Sequence, residues 1–194
     1  MKITIEPYQP AWVDKFQQER AIIEAALAHL SPVVEHIGST SVPGLGAKPI
    51  IDILVGVDQE DRLDQTIQPM MAAGYTYFRK HEPAMPYRRY YVRLISSQGQ
   101  EPPAKVDIGE GLVIGQDFKS VTHIHLLVKD TLHWTRHIAF RDYLRTHPAI
   151  AAQYEALKRA ISLRDFKDGI AYNEAKDHFV KKVEAEALEW YKRL

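Results

Sequence analysis

The stretch that most constrains the fold is residues 50–57, with the sequence IIDILVGV. It is an almost continuous apolar run, and strands with this pattern are covered on both faces. Such a strand needs packing layers above and below it, which predicts a sheet flanked by helices. A single carboxylate, Asp52, interrupts the run. Because a charge in an apolar strand costs free energy unless it is paired, Asp52 needs a partner or a ligand.

The remaining patterns predict an α/β part. Alternating, β-branched or aromatic stretches predict further strands over residues 2–6, 33–37, 75–80, 87–96, 104–108 and 121–128. Apolar residues at helical spacing predict a helix that starts near Pro10 and ends at Pro32. Asp58 is a candidate cap for a second helix running towards Gly74, although Pro69 disfavours its later turns.

From Asp130 onwards the pattern is helical. It predicts helices near 131–146, 148–163 and 169–192, with Asp130 and Asp168 as N-caps and Pro148 in a first turn. We therefore expect one domain over 1–194. It consists of an α/β core, 1–128, with a mixed central sheet, and a helical C-terminal part, 129–194.

Charge and composition narrow the classes of function. Lys plus Arg equals Asp plus Glu, 25 each, whereas general nucleic-acid binders usually carry a basic surplus. This favours a small-molecule ligand and argues against general nucleic-acid binding. The absence of cysteine excludes disulfides and thiolate chemistry. No secretory pattern or membrane-length apolar run is present, so we expect a cytoplasmic protein with no membrane association. The oligomeric state stays open.

The segment before the central strand carries the strongest chemical signal. Residues 38–49 hold three glycines, two prolines, three hydroxyl residues and Lys48. Gly38 allows close approach of a phosphate to the backbone, and Ser39 adds a hydroxyl donor. Asp52, on the next strand, could hold Mg²⁺ or Mn²⁺ against the same phosphate. The same pattern also fits an ordinary glycine turn with a capping serine.

These residues carry a resemblance to a known family. The run HIGSTSVPGLGAKPIIDILV, residues 36–55, closely resembles the signature of the GrpB family. Further similar stretches are HIHLLV (123–128), FRDYLRTHP (140–148), YEALK (154–158) and AYNEAKDHFV (171–180). The resemblance covers nearly the whole chain. It implies the nucleotidyltransferase fold, in which a Gly-Ser or Gly-Gly pair precedes a strand with two alternating carboxylates. Some members of the family are fused to dephospho-CoA kinase.

The chain departs from this motif at its second carboxylate. Asp52 matches the first one, but strand alternation places Leu54 where the second should lie. A two-metal site needs several anionic ligands. Asp107, which we place on a neighbouring strand, is a candidate for the missing charge, and Glu35 is a second candidate. Either acid could also be a satisfied or surface residue. Without a substitute, the site has lost transfer activity.

Two histidines form a second candidate group. His123 and His125 are two residues apart on a predicted strand, so they project from one face. With Asp52 they could hold a metal, or one of them could act as a general base. The alternative is a pair of structural histidines under a helix. We expect Asp52 and His125 on the same face of adjacent or near-adjacent strands.

Basic residues form a third group. In the superfamily that the resemblance implies, C-terminal helices often supply residues that hold a triphosphate, which makes Lys158 and Lys176 candidates beside Lys48. Tyr172 lies four residues before Lys176 and could contact the same ligand. A solvated helix face would explain either lysine alone. The adjacent Arg141 and Asp142 should point to different sides. One of them is a candidate for an internal ion pair, and neither is expected to be catalytic.

The sequence leaves three functions open. The first is metal-dependent nucleotidyl transfer to an unknown acceptor, with a nucleotide or CoA-like molecule as the ligand. The second is a degenerate nucleotidyltransferase that senses such a ligand without turning it over, which Leu54 favours. The third is a hydrolase with a metal held by His123, His125 and Asp52.

Overall fold

The computed structural model describes residues 2–96, 98–112, 114 and 117–194. Its main elements, in chain order, are α1 (Ala11–Ala26), β1 (Val33–Ile37), β2 (Ile51–Val57), α2 (Ile67–Ala72), β3 (Thr76–Tyr77), β4 (Arg88–Ser96), β5 (Phe118–Val128), α3 (Leu132–Thr146), α4 (Pro148–Ser162) and α5 (Gly169–Tyr191).

The five strands form one mixed sheet in the order β1-β2-β5-β4-β3. Strands β2 and β5 are parallel, and every other neighbouring pair is antiparallel. The apolar run therefore lies inside the sheet, between β1 and β5. The predicted α/β class, with a mixed sheet, flanking helices and a helical C-terminal part, is confirmed.

The two faces of β2 pack against different layers. Ile53 and Val55 are fully buried in a cluster with side chains of α1 and α2, among them Trp12 and Met70. On the other face, Leu54 packs with side chains of α3. Each fully buried side chain of this size contributes roughly 1.5–3 kcal/mol. Asp52 lies on the same face as Leu54, because strand side chains alternate.

Several predicted elements are shorter than expected. Residues 2–6 form no strand, and only Glu6 pairs with Ala47. The helix predicted from Asp58 is replaced by two 3₁₀ turns followed by α2, in which Pro69 is the third residue and so lies in the first turn, where proline is tolerated. The strand predicted over 75–80 is reduced to β3, and residues 104–108 contribute a single bridge.

Helix α1 ends at Ala26 and not at Pro32 as predicted, because a separate 3₁₀ turn, Ala28–Leu30, follows it. The other predicted boundaries are closer. Strand β5 starts three residues earlier than expected, at Phe118, and the three C-terminal helices match within one residue. Asp168 caps α5 by accepting from two backbone N–H groups, at 2.9 and 3.0 Å. The cap of α3 is Thr131 instead of Asp130, which has a left-handed backbone with φ of 62°. In the described part of the chain, no helix has the length and apolarity to cross a membrane.

Candidate functional site

The Gly-Ser turn and Asp52 are in direct contact. Gly38 follows β1 with φ of 69°, and Ile37 is paired with Asp52 across the β1–β2 ladder. A Cβ atom at position 38 would lie 2.4 Å from Oδ2 of Asp52. Glycine is therefore required at position 38 for two reasons, the left-handed backbone and the close approach of the carboxylate. The structure brings these two candidates together, as the sequence predicted.

Side chains from β1 and α3 hold this turn in place. His36 Nε2 lies 3.0 Å from the hydroxyl of Thr40, and its ring stacks on Phe16. Burial lowers the pKa of His36 to about 4, so the ring is neutral at pH 7. Arg145 donates two hydrogen bonds to the carbonyl of Ser41, at 3.0 and 2.8 Å. The sequence interpretation assigned no role to His36 or Arg145.

Three lysines from three segments lie around the rings of Tyr154 and Tyr172, and one of them reaches the turn. Lys158, on α4, donates to Oγ of Ser39 at 2.9 Å and to the carbonyl of Gly46 at 2.5 Å, and it is only 2% exposed. Lys48 lies 4.6 Å from the ring centre of Tyr172, and Lys176, on α5, lies 5.3 Å from it. We call this group the lysine pocket: Ser39, Lys48, Tyr154, Lys158, Tyr172 and Lys176.

Two tyrosines line the lysine pocket. Lys176 donates to the hydroxyl of Tyr154 at 3.3 Å. Tyr172 is 1% exposed, and its hydroxyl is buried without a hydrogen-bond partner among the described residues. Tyr172 and Lys176, four residues apart on α5, do face one place, as their spacing predicted.

The lysine pocket carries an excess of positive charge. Burial first, and then the charge of Lys176, lower the pKa of Lys158 to about 7 and that of Lys48 to about 8. For Lys176, burial lowers the pKa, but Tyr154 and Tyr172 outweigh it and the net shift is upward. The nearby carboxylate of Glu155 is already bound by Arg159, at 2.7 Å, and by the Gly46 N–H. An anion in the pocket would relieve this repulsion.

Asp52 lies between the lysine pocket and β5. It is paired with His123 across the parallel ladder, and its Oδ1 lies 3.4 Å from Nδ1 of His123. Burial raises the pKa of Asp52, but His123, Lys48 and Lys176 outweigh this effect, so the net pKa is lowered. The side chain is 31% exposed. Asp52 is therefore an ionised carboxylate that a ligand can reach.

His125 shares the face of Asp52 but has a different partner. Its Nδ1 lies 3.1 Å from a guanidinium nitrogen of Arg88. Burial and then Arg88 hold the pKa of His125 well below its ordinary value. Across the ladder from His125, Leu54 is fully buried beside Trp134 and Ile138. Within the described residues, no group of three or more His, Asp or Glu side chains is arranged to hold a metal ion.

Asp107 is not brought to Asp52. It follows a bridge to β3, and its carboxylate pairs with Arg79 at 3.2 Å and with Lys105 at 2.5 Å. Strand β3 lies three places from β2 in the sheet, which is roughly 14 Å at the usual spacing. The prediction that Asp107 lies on a strand next to that of Asp52 is therefore wrong.

Glu35 is engaged by an ion pair. Its Oε2 lies 2.6 Å from a guanidinium nitrogen of Arg141, which is 9% exposed. Arg141 also binds the adjacent Asp142 at 2.7 Å, so the expectation that these two point to different sides is wrong. Arg141 is the internal ion-pair partner, and it occupies the carboxylate that was a candidate for the missing charge.

Comparisons with known proteins agree with this architecture. The family described as GrpB protein matches residues 2–186. The crystal structure of the conserved protein GrpB from Enterococcus faecalis is 36% identical, covers 97% of this chain and 99% of that one, and superimposes with a TM-score of 0.75.

Two curated relatives are longer than this chain. The UPF0157 protein YqkA of Bacillus subtilis is 31% identical over 98% of this chain, and the aligned part is 49% of its own length. A dephospho-CoA kinase of Mycolicibacterium paratuberculosis is 26% identical over 97% of this chain and 46% of its own. This chain thus spans about half of each of them.

Proposed function

The chain belongs to the GrpB protein family, and from this premise we propose that it binds the phosphate groups of a nucleotide in the lysine pocket, next to Asp52. One observation carries the proposal. Lys158 donates to Ser39, Lys48 and Lys176 lie over the ring of Tyr172, and the nearby carboxylate of Glu155 is already paired with Arg159. A buried group of like charges is unfavourable alone, and phosphate oxygens are the acceptors that such ammonium groups bind.

The lysine pocket supplies donors in several directions. Lys158 would exchange the carbonyl of Gly46 for a phosphate oxygen, and the hydroxyl of Ser39 would donate to the same group. The hydroxyl of Tyr172, which has no partner among the described residues, would donate to a further oxygen. Lys48 and Lys176 would neutralise charge on the outer phosphates.

A transfer reaction would proceed beside Asp52. An acceptor hydroxyl attacks the α-phosphorus, the bond to the β-phosphate oxygen breaks, and pyrophosphate leaves into the lysine pocket. The proton of the hydroxyl passes to the Asp52–His123 pair, whose atoms lie 3.4 Å apart. The lysines stabilise the charge that develops on the leaving group.

The residues at Asp52 do not fit a complete protein-built metal site. Among the described residues no set of three His, Asp or Glu side chains could hold a metal here, Leu54 stands in place of the second carboxylate, and His125 is held by Arg88. Mg²⁺ commonly binds through one or two carboxylates together with substrate phosphates. We therefore propose that Mg²⁺ or Mn²⁺ reaches Asp52 only with the nucleotide. The hypothesis of a His-ligated metal hydrolase has no support in this arrangement.

A second candidate function is favoured by Leu54. It is fully buried against Trp134 and Ile138, so a carboxylate at this position would lose apolar packing as well as gain charge. A chain of this kind can bind a nucleotide or a CoA-like ligand without turning it over. The match to a dephospho-CoA kinase makes CoA a ligand worth testing beside the nucleotides.

The proposal is tested by calorimetric titration of the purified protein with ATP, CTP and CoA, each with and without Mn²⁺. We expect saturable binding that Lys158→Met abolishes and that Lys182→Met, an exposed lysine on α5, leaves unchanged. Pyrophosphate release in the presence of bound nucleotide would support transfer, and binding without release would support the sensing function. A folded wild-type protein that binds none of these ligands would contradict both.

A further inference from the structure

Arg88 is a cation for which the described residues provide no counter-ion. It begins β4 opposite Leu127, so it shares the face of His125 and Asp52. Its guanidinium contacts His125 at 3.1 Å and lies 4.9 Å from the ring centre of Tyr90. Among the described residues no carboxylate lies within 4 Å of it, and its Nε is buried without a hydrogen-bond partner. Within the described part of the chain this guanidinium therefore has no carboxylate to balance its charge, and its Nε has no acceptor.

Helix α3 adds further unpartnered nitrogens beside Arg88. His133, Arg136 and His137 recur at helical spacing and so share one face of the helix. The ring centres of His137 and His125 are 5.5 Å apart. Nδ1 of His133 and Nε of Arg136 are buried with no hydrogen-bond partner in the described part of the chain. We call these residues the arginine cluster: Arg88, His125, His133, Arg136 and His137.

The charges in the arginine cluster are unbalanced. Arg136 has one acidic contact, Glu184, at 3.5 Å, and Arg88 has none among the described residues. Burial, then the two arginines, lower the pKa of His137 to about 3, so its ring is neutral at pH 7. A neutral imidazole has one donor and one acceptor nitrogen, so it can donate a hydrogen bond to an anion without adding a charge. Two arginines and neutral histidines together suit an oxyanion.

We propose that the arginine cluster binds the carboxylate or phosphate group of a second ligand, the acceptor, whose other end reaches Asp52. His125 lies two residues along β5 from His123, which places the arginine cluster roughly 7 Å from the Asp52–His123 pair. Asp52 is thus close to both groups, since Lys48 and Lys176 help to lower its pKa and its Oδ1 contacts His123 on β5. This assignment of the ligand as an acceptor rests on the proposed function, and the anion site itself does not.

The test is an NMR titration of the guanidinium Nε–H signals with inorganic phosphate and, separately, with acetate. The Arg88 signal is assigned by its loss in Arg88→Lys. We expect a saturable shift of this signal in the wild type and in Lys158→Met, whose lysine pocket is disabled. Tighter binding of acetate indicates a carboxylate acceptor, and tighter binding of phosphate indicates a phosphorylated one.

Variants separate the anion site from general effects. The His137 Nε2–H signal should shift on anion addition in the wild type and should not shift in Arg88→Gln. Arg88→Lys should weaken anion binding at least about tenfold, because a bidentate donor is lost. Arg89→Gln is the matched control, since Arg89 is the next residue and is already paired with Asp64 at 2.7 Å.

The two proposals fail differently. The inference is overturned if the Arg88 signal shows no saturable shift with either anion, or if its shift disappears in Lys158→Met. If ATP does not bind but both anions still bind at Arg88, the anion site is supported and the proposed nucleotide function fails.

Discussion

Replacing Lys158 with methionine is expected to stabilise the ligand-free protein near pH 6.5 while abolishing nucleotide binding. The pKa of Lys158 is lowered from 10.5 to about 7, chiefly by burial. At about 1.4 kcal/mol per pKa unit, its charged form destabilises the fold by roughly 5 kcal/mol. Methionine keeps the length but leaves the carbonyl of Gly46 without this donor, a loss of about 1–3 kcal/mol. The expected net gain is roughly 2 kcal/mol or more.

The pH dependence provides an internal check. The folded pKa of Lys158 is lower than the unfolded one, so the unfolded chain binds more protons between pH 7 and 10.5. The wild type therefore gains stability as the pH rises through this range, by roughly 2.5 kcal/mol between pH 6.5 and 9. Lys48 adds an effect of the same sign from about pH 8, but it is present in both proteins. The advantage of Lys158→Met should shrink accordingly.

The assay is urea unfolding of both proteins at pH 6.5 and pH 9, with Lys182→Met as the control. Lys182 is exposed on α5, so its replacement should change the free energy of unfolding little at either pH. A Lys158→Met protein that is less stable than wild type at pH 6.5, by an amount that does not depend on pH, would refute the argument that a buried charge is strained here.

Three further predictions concern the same site. Gly38→Ala should lose nucleotide binding and more than about 2 kcal/mol of stability, because its Cβ would meet the Asp52 carboxylate. Gly44→Ala, with φ of 79° and open space around it, should lose only the backbone part of about 1–2 kcal/mol. Equal losses of the two variants in urea unfolding would contradict the contact with Asp52. Nucleotide binding at pH 8 should take up protons, because an anion raises the pKa values of Lys158 and Lys48 from about 7 and about 8. Calorimetry in buffers of different ionisation enthalpy measures this uptake, and a binding heat that is the same in every buffer would exclude it. Asp52→Asn should bind ATP without metal at least as tightly as wild type, since it removes a negative charge near the phosphates, but Mn²⁺ should no longer increase its affinity for ATP. Titrations in which Mn²⁺ still increases this affinity would show that Asp52 does not face the metal.

The local chemistry of the site could be predicted from sequence. The apolar run forms β2, and the chain is so short between Gly38 and Asp52 that the antiparallel β1–β2 ladder brings them into contact. Lys158 and Lys176 were found through their positions in stretches similar to the family. Helix α4 brings Lys158 to Ser39, and α5 places Lys176 beside Tyr154 and Tyr172. These contacts depend on local spacing or on similarity across the whole chain.

Partners that depend on strand order could not be predicted. Asp107 lies beside β3, three strands from β2, and no local pattern gives this order. Arg88, His125 and Arg136 come from three different elements. In the sequence, an arginine or histidine at such a position is equally typical of an exposed surface. Pairing between β4 and β5 brings the first two together, and only the packing of α3 on this face adds the third.

The most direct test of the lysine pocket is a crystal structure of the protein with a non-hydrolysable ATP analogue and Mn²⁺. We predict phosphate oxygens within about 2.7–3.2 Å of the Lys158 ammonium and the Ser39 hydroxyl, with an anomalous Mn²⁺ peak beside Asp52. A nucleotide bound elsewhere on the protein, with Lys158 still donating to the carbonyl of Gly46, would contradict the assignment of this pocket.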